Sequence, residues 1–77
     1  MRRCAKIEAA ARNNPDGLTF AEACRLAECA GYELARINGS HHIYLHPIRP
    51  SINLQPVRGK AKGYQIRQIL AAIDAAL

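Results

Sequence analysis

No apolar run in the 77 residues approaches the roughly 20 that a membrane-spanning helix needs. Met1-Arg2-Arg3 leads into a charged, alanine-rich stretch instead of the apolar core of a signal peptide. From these two absences the expected compartment is the cytoplasm, with no membrane partner. Metal and redox spacing is missing as well. Cys4, Cys24 and Cys29 are odd in number and contain no Cys-x-x-Cys, so buried or free reduced thiols are expected. Neither the low hydrophobicity of a disordered tail nor the bias of a repeat is present: 49% of residues are hydrophobic and 22% are charged. One domain over residues 1–77 is expected, burying about 60% of the surface of its unfolded chain.

Acidic residues are scarce in one half only. Up to Glu33, Arg2, Arg3, Lys6, Arg12 and Arg25 balance Glu8, Asp16, Glu22, Glu28 and Glu33. From Leu34 onward Asp74 alone opposes Arg36, Arg49, Arg58, Lys60, Lys62 and Arg67, so the whole net charge of +5 lies there. A basic surface of this kind points to a polyanion. A solvated basic face without a specific ligand is the plain alternative.

The pattern along the chain predicts the elements. Ile7, Ala10 and Ala11 place a short helix at 4–12, and Asn13-Asn14-Pro15-Asp16-Gly17 ends it with turn residues. Thr19 and Glu22 form a capping box for a second helix that runs to about Ala30. Its inward face is expected to be Phe20, Ala23, Cys24 and Ala27, with Leu26 and Ala30 at the margin. Gly31 suits the left-handed residue beyond its end.

The period then changes to two. Residues 32–37 read as a strand ending in the hairpin signal Asn38-Gly39. A second strand, about 42–46, alternates Ile43 and Leu45 with His42, Tyr44 and His46, so the apolar pair is expected inside and the other three outside. Ile52 and Leu54 mark a third strand, ended by Pro56. Ile66, Ile69, Leu70, Ile73 and Leu77 repeat at helical steps and must cover the sheet. The expected fold is α+β: a three-stranded antiparallel sheet packed on helices. With residues 1–17 as a helical extension and turn, residues 18–77 have the order αβββα of a double-stranded RNA-binding domain.

Gly39-Ser40-His41-His42-Ile43-Tyr44-Leu45-His46-Pro47 resembles the HicA family of bacterial mRNA interferase toxins. Ala30-Gly31-Tyr32-Glu33-Leu34 and Gly59-Lys60-Ala61-Lys62 stand where that family has its helix-to-strand turn and its basic loop, so the resemblance spans about 18–77. It implies an endoribonuclease that cleaves mRNA without a metal or other cofactor, using the histidine after Gly-Ser, here His41. A HicB-like antitoxin is the implied partner, and the helix at 4–12, extra to the family pattern, is a candidate to cover the core, mediate self-association or engage that antitoxin. The chemistry suits the residue. A neutral imidazole, ordinarily titrating near pH 6.5, accepts the 2′-hydroxyl proton beside a scissile phosphate.

His42 is the reserve for that role, because a one-residue change in where the turn closes exchanges the faces of the strand. Tyr44 is expected to stack on a base. Ser40, Arg36, Arg49, Arg58, Lys60, Lys62 and Arg67 are expected to contact RNA, largely through phosphates. Lys60, Lys62 and Arg67 would sit together at the end of the last helix. His42 and His46 are about 13 Å apart along a strand, too far to share a metal ion. Gly59-Lys60-Ala61-Lys62-Gly63 lacks the Walker order, so nucleotide hydrolysis is not expected. Many family members carry Val-Pro and then a histidine in the third strand, where this chain has Leu54-Gln55-Pro56-Val57. A paired acid would therefore fall to His42, Tyr44 or a lysine. A non-catalytic RNA-binding module and a protein-binding adaptor with a basic face are the competing functions.

Overall fold

The computed structural model describes residues 4–76; Met1-Arg2-Arg3 and Leu77 lie outside that range. Helix α1 spans Cys4–Asn13, a 3₁₀ turn follows at Pro15–Gly17, and helix α2 spans Phe20–Cys29. Strands β1 (Glu33–Asn38), β2 (His41–Leu45) and β3 (Ile52–Leu54) form an antiparallel meander, and helix α3 closes the chain at Gly63–Ala75. The architecture is α+β in the order αβββα behind α1.

Local chemistry accounts for the boundaries. Thr19 Oγ1 accepts the Glu22 N–H at 3.2 Å, and Glu22 Oε1 accepts the Thr19 N–H at 2.9 Å, which closes the capping box. Gly31 has φ +95°, a conformation glycine adopts without a Cβ clash, and it turns the chain from α2 into β1. The core gathers Ile7 and Ala11 of α1, Ala23, Leu26 and Ala27 of α2, and Ile66, Ile69 and Leu70 of α3. Tyr32, Tyr44, Ile52 and Leu54 complete it from the sheet side. Leu26 is central to α2 and fully buried, while Phe20 and Cys24 are only half-buried, the reverse of their expected ranks.

The cysteine expectation is corrected. Cys4 and Cys29 form a disulfide with their Cα atoms 5.7 Å apart, and Cys24 alone is free. The turn at 13–17 folds α1 back antiparallel to α2. The first residue of one helix thereby meets the last of the other, a juxtaposition that spacing along the chain does not reveal.

The face of β2 is corrected as well. His41 pairs with Asn38, so Gly39 and Ser40 are the two loop residues, one position beyond an Asn38-Gly39 loop. Gly39 has φ +64°, at the first loop position, where a II′ hairpin takes glycine. In this register His42, Tyr44 and His46 turn toward the helices, and His41, Ile43 and Leu45 turn away. The two inward histidines carry polar atoms, and each finds a partner. His42 packs edge-on against Phe20 with ring centroids 4.8 Å apart. His46 Nε2 donates to the Ala30 carbonyl at 3.2 Å, while its Nδ1 accepts the Ile48 and Arg49 N–H groups.

Candidate functional site

The outward face of the sheet brings His41, Ile43, Arg36, Asn38 and Asn53 together. Ile43 lies opposite Asn53 on β3 and opposite Arg36 on β1, and His41 lies opposite Asn38. Arg36 reaches this face because the register shifts between Leu34 and Arg36. In a regular strand residues two apart share a face, so Arg36 would follow Leu34 to the helix side. The extra residue, Ala35, turns it outward.

His41 and Asn53 are diagonal neighbours across β2 and β3, within reach for side chains of their length. The Asn53 amide Nδ2 donates to His41 Nδ1 at 2.8 Å. With Nδ1 accepting, the neutral ring carries its proton on Nε2. His42, by contrast, has its Nδ1 3.3 Å from the Ser40 carbonyl and its ring against Phe20. The two adjacent histidines thus stand on opposite faces, and His41 is the one on the open face.

Tyr44, expected on the wet face as a base-stacking residue, is 2% exposed. Burial first, and then the neighbouring Cys24 thiol, push its hydroxyl well above the usual phenol range, so it exchanges no protons near neutrality. It is a core residue here.

The basic residues divide by position. Arg58, in the left-handed region at φ 54°, and Lys60 occupy a tight turn closed by the Val57–Lys60 backbone pair. That turn is tied to the start of α2 by the Phe20 N–H bond to the Gly59 carbonyl at 2.9 Å, and Phe20 in turn touches His42. The basic turn and the Gly39-Ser40-His41 loop therefore share one end of the molecule. Lys62 flanks α3, with its Nζ 6.0 Å from the Tyr64 ring centroid. Tyr64 is 57% exposed, an aromatic face beside a basic side chain that no helical or strand pattern singled out. Arg49 lies beyond the other end of β2, past His46 and Pro47, and is not brought to His41.

Arg67 pairs with Asp16 of the 3₁₀ turn at 3.5 Å. The stretch from Leu34 to Ile73 is free of acids in sequence, yet α1 and its turn deliver one in space. The expected cluster of Lys60, Lys62 and Arg67 is thus partly neutralised at Arg67. Among the described residues no group of three or more His, Cys, Asp or Glu side chains is placed to hold a metal ion, and no helix is long and apolar enough to cross a membrane.

The family model for the HicA toxin of bacterial toxin-antitoxin systems matches residues 20–75, more than half of the chain. The chain belongs to the HicA toxin family. No curated protein and no solved structure matches it. The matched segment of this HicA-family chain begins at Phe20, the first residue of α2, and ends in the last turn of α3. It takes in the sheet, the His41 loop and the basic turn, and it leaves α1 outside.

Proposed function

We propose that this HicA-family chain is a metal-independent endoribonuclease toxin, acting on mRNA and held in check by a HicB-like antitoxin. The observation that carries the reading is the placement of His41 within the family segment, on the open sheet face at the end that also holds the basic turn. The 2′-oxygen of the RNA attacks the adjacent phosphorus, its proton passes to the imidazole, and the bond to the 5′-oxygen breaks. The products are a 2′,3′-cyclic phosphate and a 5′-hydroxyl that takes its proton from water. Arg58 and Lys60 neutralise phosphate charge beside the attack, Arg36 and Ser40 line the approach, and Lys62 and Tyr64 hold flanking nucleotide.

General acid-base assistance of this kind contributes on the order of 10² to 10⁴ in rate. His41→Ala is therefore expected to lower RNA cleavage by about that factor while RNA binding persists. His42→Ala is expected to act mainly on stability, through lost packing with Phe20. Cleavage assays and gel shifts on purified protein check both. Cleavage undiminished in His41→Ala overturns the assignment, and RNA binding without cleavage by the parent protein favours the non-catalytic RNA-binding module.

A further inference from the structure

His41 meets Asn53 on an exposed sheet face, where an unconstrained imidazole would be free to turn. Asn53 is itself held. It lies in the middle of β3, an edge strand with one side unpaired, and its backbone carbonyl accepts the Gln65 side-chain Nε2–H from α3. Gln65 is the one buried polar side chain of the core among the described residues, at 7% exposure, and its Oε1 has no partner there. A buried amide oxygen without a partner is destabilising. A glutamine at that position therefore acts against stability unless its other end is needed, and that end pins the backbone of Asn53.

We propose that Asn53 is a positioning residue that occupies Nδ1 of His41 and leaves Nε2 as the ring nitrogen presented to RNA. The inference rests on the ribonuclease reading of His41 and adds which nitrogen reacts and what selects it. The asparagine amide can serve either neutral form of the ring, and it is the second that acts as the base. With its N–H on Nδ1, the neutral ring carries Nε2–H, a donor toward a phosphate oxygen. Turned by half a rotation about Cβ–Cγ, the amide places Oδ1 on an Nδ1–H, and the bare Nε2 takes the proton of the 2′-hydroxyl. The same Oδ1 then accepts from the imidazolium, so the proton gained at Nε2 leaves no donor facing a donor. An alanine supports neither state, and an aspartate supports only the second.

The test is read first without RNA. Multiple-bond ¹H–¹⁵N spectra of the full chain at pH about 8.5, well above the ordinary histidine value near 6.5, report which nitrogen of His41 carries the proton. The parent protein is expected to show the Nε2–H form. Asn53→Asp is expected to move the proton to Nδ1, and Asn53→Ala to give an averaged mixture. In cleavage assays Asn53→Ala is expected to lower kcat by about 10- to 100-fold with little change in KM, as loss of an orienting partner does, and Asn53→Asp to retain more of it. His41 nitrogen shifts that are the same in all three proteins overturn the pairing. An unchanged kcat in Asn53→Ala overturns its role in the reaction. A tautomer that responds as expected in a protein that cleaves no RNA refutes the ribonuclease reading and upholds the pairing.

Discussion

At Tyr44 one ring decides which side of β2 solvent sees. Alternation allows two assignments, Ile43 with Leu45 inside or Tyr44 with its two histidine neighbours inside, and hydrophobicity alone favours the first. The structure takes the second because aromatic side chains with polar tips bury large area while their heteroatoms reach partners at the rim of the core. A residue at 2% exposure in the centre of the core has a defined mutational signature. Tyr44→Ala is expected to cost about 3–5 kcal/mol in urea unfolding, as large-to-small aromatic substitutions do, and Tyr44→Phe is expected to be close to neutral. If Tyr44→Ala instead kept full stability and only weakened RNA binding, the ring would belong to the surface. Asn53 was illegible for a related reason. Its partnership with His41 is a diagonal contact between strands, and it exists only once the loop closes at Gly39-Ser40 and both side chains point outward.

Elements with a strong local signal were readable in the sequence. The last helix announced itself by apolar spacing, and α2 by Thr19 and Glu22, whose reciprocal hydrogen bonds are present as expected. The turn at 13–17, the three strands and their antiparallel order were also legible, because each is bounded by glycine, proline or asparagine. What depended on docking was not. The Cys4–Cys29 disulfide follows from how α1 lies on α2, and the Asp16–Arg67 pair from where the 3₁₀ turn meets α3. The cap carries a pH dependence whose direction is fixed. Bonds first from the Thr19 backbone and then from its side chain lower the Glu22 pKa below its ordinary value of 4.5, and the Arg12 hydrogen bond lowers that of Asp74. A carboxyl group depressed on folding contributes stability above its unfolded pKa, and that contribution is lost as pH falls through the folded value. Thr19→Ala is expected to cost about 1 kcal/mol at neutral pH. Its deficit relative to the parent should shrink in acid, as Glu22 becomes protonated in both. Thermal melts over a pH series read this directly, and a deficit constant down to the acid limb rejects the coupling.

Across the whole molecule, charge is partitioned by end as well as by sequence half. The described chain measures 32 × 27 × 24 Å, a body on which residues at opposite ends of β2 cannot serve one short stretch of phosphates equally. Arg58 and Lys60 share the His41 end, Arg49 lies at the other, and Arg67 is occupied by Asp16. RNA affinity should therefore depend on salt with a slope that individual substitutions alter selectively. For single strands each neutralised phosphate contributes about 0.7 to the slope of log K against log salt. Lys60→Ala and Arg58→Ala are each expected to lower the slope by about that amount, and Arg49→Ala to leave it unchanged. Asp16→Asn releases Arg67 and is expected to steepen it. Binding titrations over a range of salt concentrations give all four slopes from one RNA. Equal losses for Arg49→Ala and Lys60→Ala would mean that the strand runs the length of the sheet, and the His41 end would lose its claim to be where RNA is held.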